Sequence, residues 1–321
     1  LQVLGENLVL WKKKCGSVAC VEDSCAHRFA QLSRGIVTRD DKIKCGYHGI
    51  EYDSDGQATL LPHSVSNKCS GIKCQAKGTK SEFELTWVNM NLNNFTTHDY
   101  SLYESRVFNT PWFSCQSAVP FKLLLENSID LLHAENTHHG ILGVDRFRIF
   151  RKYDTNANFT TVYYNRSGFK LTYKNKMTVE YMAPFHTRVD FHGVFGGKLS
   201  IIAFVIPNNA FESNTMSRLI YTHPSIKKNG FLSQLANFFL GILASKENSE
   251  RIFDQDINQM SGQLENSNKF QEYGRYTAGD KPIIMIDRWF KDYLDYDSPV
   301  PAPVPVPTAK SLLPKVFKDF P

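Results

Sequence analysis

The sequence predicts an α+β chain of two domains, an all-β N-terminal domain followed by a mixed sheet-and-helix domain. Three observations carry this. The 321 residues suit two domains of ordinary size. Residues 1 to about 90 are a series of short apolar or alternating runs punctuated by Gly, Asp and Asn. Beyond about residue 120, helical periodicity and β-rich runs alternate in longer blocks.

In the first domain, Leu8–Trp11, Ser17–Val21, Lys42–Cys45 and Leu85–Val88 read as strands. The polar stretch Asn91–Ser101 reads as a linker, which sets the first domain at 1–95. From Lys122 to His139 the pattern turns helical, with Leu124, Leu125, Ile129, Leu132 and His133 three or four apart. Residues 146–222 return to strands, such as Phe159–Tyr164 and Leu199–Val205. Residues 230–265 read helical, and Arg288-Trp289-Phe290 opens a last short helix, so the second domain spans 96–295. In 296–321, prolines at 299, 301, 303, 305 and 307 predict polyproline II geometry without a packed core.

Composition excludes several classes. With 42% apolar and 21% charged residues the chain is globular. A net charge of +5, scattered along the chain, argues against a nucleic-acid partner. No run reaches 18 apolar residues, so no spanning helix is expected. The segment Phe231–Ala244 is apolar over 14 residues, which suits a partly buried helix or one lying on a membrane surface. Seven cysteines, an odd number, do not make a disulfide scaffold. Three Asn-x-Ser/Thr triplets (at Asn94, Asn158 and Asn165) carry little weight without a signal peptide, and a reducing compartment is expected. The chain opens on Leu1, so its natural start and any targeting segment are expected to be missing.

Two constellations carry chemistry. Cys25-Ala26-His27 is followed by Cys45-Gly46-Tyr47-His48. Each half-site offers one thiolate and one imidazole after a strand. A Cys2His2 zinc site and a Rieske [2Fe–2S] cluster both use such a set, but a zinc finger places its histidines on a helix. The remaining cysteines, 15, 20, 69, 74 and 115, read as buried inert thiols, although the Cys-x4-Cys spacing of 15/20 and 69/74 also suits a metal. The second constellation lies in Glu126–Gly140. Asp130 and His133 fall on one face of a continuous helix, and His138 joins them if that helix loosens near Asn136. Two histidines and a carboxylate with open positions suit non-haem Fe(II).

The runs Cys25-Ala26-His27-Arg28, Leu32-Ser33-Arg34-Gly35 and Cys45-Gly46-Tyr47-His48-Gly49, followed by Asn-x-x-Asp-x-x-His-x4-His, resemble the Rieske non-haem iron oxygenases over about residues 5–290. Ile50 stands where the family commonly has Trp. Within the family, Cys25 to Gly35 and His138-His139-Gly140 look most like the pheophorbide a oxygenase-like branch; the vanillate demethylase type is the alternative. Plant members of the branch carry a Cys-x-x-Cys and anchors that are not found in this sequence.

The resemblance implies a helix-grip-like second domain built on a curved antiparallel sheet. It makes Cys25, His27, Cys45 and His48 the cluster ligands and His133 and His138 iron ligands. The third iron ligand is Asp256, seven residues before Gln263, with Asp254 as runner-up and His139 as a competitor of His138. Asp130 becomes the bridge between an iron-ligating histidine and a cluster histidine of a neighbouring subunit. A homotrimer is implied, with O2, a ring or macrocycle substrate such as pheophorbide, and a separate ferredoxin or reductase as electron donor. No Gly-x-Gly-x-x-Gly fingerprint offers an internal nicotinamide or flavin site. The setting implied is a bacterial cytoplasm or a plastid, and not secretion. A non-catalytic Rieske electron carrier is the reading from a different class.

Overall fold

A computed structural model of the chain describes residues 1–62, 71–82, 84–90, 108–130, 133–138, 159–174, 176–194, 196–224, 245–270, 276–277, 280–294 and 315–316, together with 69, 234, 238 and 241. The linker expected at Asn91–Ser101, His139, most of Phe231–Ala244 and the prolines from 299 to 307 lie outside these residues. Contacts divide the chain into two units, Leu1–Glu104 and Ser105–Pro321.

The first unit is all β. One sheet runs in the order β1 (Gln2–Val3), β2 (Glu6–Lys12), β3 (Val18–Glu22), β8 (Ala76–Glu82), β9 (Leu85–Asn89). A second contains β4 (Ile36–Val37), β5 (Ile43–Lys44), β6 (Glu51–Tyr52) and β7 (Ala58–Leu60). All pairings are antiparallel, and those between consecutive strands are joined by turns too short for a parallel crossover. Inward positions of β2 and β3 supply Val9, Trp11, Ala19 and Val21 to a core shared with Leu32, Ile43, Ile50 and Tyr52. Cys25 and Cys45 belong to the same core, each 2% exposed. Ile50 is buried there, so the departure at this position is absorbed as apolar packing.

The second unit is a curved antiparallel sheet with helices packed on one face. Its path is β12 (Thr160–Asn165), β13 (Gly168–Tyr173), β14 (Met177–Met182), β15 (His186–Val194), β16 (Gly197–Pro207), β17 (Ser213–Thr222) and β11 (Phe113–Ser117). The short strands β10 (Phe108–Asn109) and β18 (Lys315–Val316) pair with β17 and β11. Period-two alternation sorts the side chains. Phe169, Leu171, Tyr173, Val179, Tyr181, Val189 and Phe191 face one way into a single core. The helices α1 (Phe121–Ile129), α3 (Lys246–Phe270) and α4 (Lys281–Leu294) add Leu125, Ile129, Phe253, Ile257, Met260, Ile286 and Trp289 to it. Tyr181 meets the Trp289 ring edge-on at 5.1 Å.

Two expectations need correction. The helix expected through 122–139 is broken: α1 stops at Ile129, Asp130 caps it in extended conformation (φ −76°, ψ 115°), and a one-turn helix α2 (Ala134–Thr137) follows. The last helix starts at Lys281 rather than Arg288; Pro282 suits a first turn, where its missing N–H has no partner to lose. No helix among the described residues is long and apolar enough to cross a membrane.

Candidate metal centres

The first centre is built from two loops that close alike. In the loop after β3, the Cys25 N–H donates to Ala30 O (2.8 Å) and the Phe29 N–H to Cys25 O (2.8 Å). In the loop after β5, the Cys45 N–H donates to Ile50 O (2.8 Å) and the Gly49 N–H to Cys45 O (3.0 Å). Both loops turn through a left-handed residue at the same place, Phe29 (φ 59°) and Gly49 (φ 73°). Glycine lets the loops approach their neighbours. A Cβ on Gly46 would lie 2.8 Å from Arg34 O, and one on Gly35 only 2.0 Å from Lys44 O.

The result is a paired set, two buried thiols and two imidazoles nearer solvent. The His27 and His48 ring centroids are 4.8 Å apart at 67°. Two sulfur and two nitrogen donors from matched loops fit a [2Fe–2S] cluster with one iron held by thiolates and the other by histidines. Sequence reasoning missed Tyr52. Its buried hydroxyl lies 3.1 Å from Cys25 Sγ. Burial and the adjacent thiols raise the Tyr52 phenol, so it stays a donor. Cys20, Cys74 and Cys115 are buried, and burial pushes their thiols up to about 11, 11 and 12, as expected of inert cysteines. Cys15 instead is exposed.

The second centre lies in the other unit. His133 N-caps α2, His138 C-caps it, and Asp256 comes from α3. His133 Nε2 is 3.3 Å and His138 Nε2 3.5 Å from Asp256 Oδ1, and the three donor atoms lie within 4.8 Å of one another. Asp256 Oδ1 is buried and accepts no hydrogen bond. Buried oxygens are rarely left so, and two imidazole nitrogens aimed at one carboxylate oxygen suit a cation between them. Burial alone would lower the His133 pKa, but the Asp130 and Asp256 carboxylates outweigh it and raise it to about 9. The runner-up Asp254 is not part of the group.

Asp130 faces His133 Nδ1 across 3.4 Å, on the side away from Asp256. The helix break, not a shared helix face, produces this pairing: the chain leaves α1 at Asp130 and returns with His133 at the start of α2.

Residues 1–76 match the family profile described as the Rieske [2Fe-2S] domain. The N-terminal part of the chain is thus a Rieske [2Fe-2S] domain. It is similar to the chloroplastic chlorophyllide a oxygenase of Chlamydomonas reinhardtii, 30% identical over 137 residues, which is 43% of this chain and 21% of that protein. It is also similar to the vanillate O-demethylase oxygenase subunit of a Pseudomonas strain, 29% identical over 147 residues, 44% of this chain and 40% of that protein. The matched stretches thus span less than half the length of these relatives. The fold agrees over nearly the whole chain with dicamba monooxygenase bound to dicamba, at a TM-score of 0.68 and 16% identity, covering 92% of this chain and 91% of that one. Rieske oxygenases carry a [2Fe–2S] cluster and a mononuclear iron, and both donor sets on this chain suit those groups.

Proposed function

We propose that this chain is an oxygenase subunit that uses O2 and electrons from a separate ferredoxin or reductase to oxidise a ring or macrocycle substrate, a pheophorbide or related chlorophyll pigment in the first instance. The observation that carries the reading is the convergence of His133, His138 and Asp256 in the unit that follows a Rieske domain. A Rieske electron carrier has no use for that second group. Bound to these sets, the cluster supplies one-electron transfer and the mononuclear iron supplies the chemistry of O2.

The chain's own residues do the rest. Cys25, His27, Cys45 and His48 hold the cluster, with the thiols inside the core and the imidazoles toward a partner. His133, His138 and Asp256 hold the iron on three donors and leave positions open. Asp130 orients the His133 ring and presents a carboxylate between that ring and whatever docks against it. A homotrimer would bring a neighbour's cluster histidine to Asp130. In this reading the functional domains are 1–95 for the cluster, 96–295 for catalysis and 296–321 as a Pro-rich tail. The setting is a plastid or a bacterial cytoplasm.

Similarity to the vanillate demethylase subunit favours a second reading, demethylation or hydroxylation of an aromatic acid. O2 uptake and product formation with pheophorbide a, chlorophyllide a and vanillate separate the two. Asp130→Asn should keep both metals and lose nearly all product with the accepted substrate. Unchanged turnover would reject the role given to Asp130.

A further inference from the structure

The two histidines of the second centre turn the same nitrogen inward, but their outer nitrogens meet different chemistry. His133 Nδ1 faces a carboxylate, Asp130 Oδ2, at 3.4 Å. His138 Nδ1 lies 3.3 Å from an amide oxygen, Gln255 Oε1. Gln255 belongs to none of the motifs above. It precedes Asp256 by one residue on α3, so one helix supplies both a donor atom and the contact behind another donor.

We infer that Gln255 is a positioning residue that fixes the tautomer and rotation of His138 so that Nε2 serves as a metal donor. This rests on the reading of His133, His138 and Asp256 as a metal centre. An amide oxygen only accepts. The hydrogen therefore sits on His138 Nδ1, which donates to Gln255, and Nε2 keeps its lone pair toward Asp256 Oδ1. Outer contacts of this kind set the tautomer and orientation of a ligating histidine.

The test is Co(II) binding to the full chain, with its cluster intact and the mononuclear site stripped by chelator, read by calorimetry and by the Co(II) ligand-field spectrum. The wild-type chain should bind one Co(II), and Asp256→Asn should abolish it. Failure of either overturns the metal-centre reading itself and with it the basis of this proposal. Given that site, Gln255→Leu should bind Co(II) about 10–100-fold more weakly with an altered spectrum. Gln255→Glu, which keeps an acceptor for Nδ1–H, should bind within roughly threefold of wild type. A role confined to packing predicts a lower melting temperature with unchanged Co(II) affinity. Wild-type affinity in the Leu variant overturns the inference. Should the Leu variant not fold, the Glu variant decides: a tenfold loss there overturns it as well.

Discussion

Replacing Tyr52 by Phe removes one hydroxyl and little else. The side chain is fully buried, its ring packs in the core of the first unit, and its hydroxyl lies 3.1 Å from Cys25 Sγ. Bound to a cluster, Cys25 is a thiolate, so the phenol donates a charge-assisted hydrogen bond worth about 1.5–3 kcal/mol net. The reduced cluster carries one more electron and takes that bond more strongly. If about 1–2 kcal/mol of it distinguishes the two redox states, one-electron arithmetic at 59 mV per tenfold gives a potential lower by about 40–90 mV in the variant. A spectroelectrochemical titration of the cluster band, repeated by EPR on poised samples, measures this. The fold should survive, because Phe keeps the buried ring. A Tyr52→Phe protein with an intact cluster whose potential lies within about 10 mV of wild type would refute the assignment of Tyr52 as a donor to a cluster thiolate.

Three further outcomes are expected. Gly35→Ala places a Cβ 2.0 Å from Lys44 O and 2.9 Å from Leu32 O, both backbone, so the two cluster loops cannot meet as they do; purified protein should lack the cluster's visible absorption. His133→Ala should lose the mononuclear metal while leaving that absorption intact, read by metal analysis, since the two donor sets lie in different units. Glu126 is largely but not fully buried, and loss of solvent raises its pKa from 4.5 to about 7 despite Lys122 beside it. A carboxyl raised on folding favours the folded state while protonated, so its contribution is present below about pH 4.5 and is lost as pH rises through about 7, on the order of 3 kcal/mol in all. Glu126→Gln should therefore melt higher than wild type at pH 8 and differ little at pH 5; equal melting at both would reject this account of Glu126.

What the sequence made legible follows from how local each feature is. Each cluster half-site packs its thiol and imidazole into three or four residues after a strand, so Cys25, His27, Cys45 and His48 stand out without knowledge of the fold. His133 and His138 stand out because they flank a single turn. Asp256 is one acidic residue among several on a long helix, and only resemblance selected it. The break at Asp130 was hidden because Leu131 and Leu132 continue the apolar periodicity across it. Tyr52 and Gln255 were invisible for a different reason: their partners lie 27 and 117 residues away, and nothing local marks a Tyr on a two-residue strand or a Gln beside an Asp. The start of α4 was the exception, since Pro282 signals a first turn and the apolar run at Trp289 drew the boundary too late.

The central claim is that this chain holds a two-iron cluster and a separate single iron. Iron and acid-labile sulfide per chain, measured on anaerobically purified protein with EPR of the reduced form, test it most directly. The account predicts three irons and two sulfides, with the low average g-value of a histidine-ligated cluster. Two irons and two sulfides on a metal-replete preparation that takes up no added Fe(II) would contradict it and leave a Rieske electron carrier.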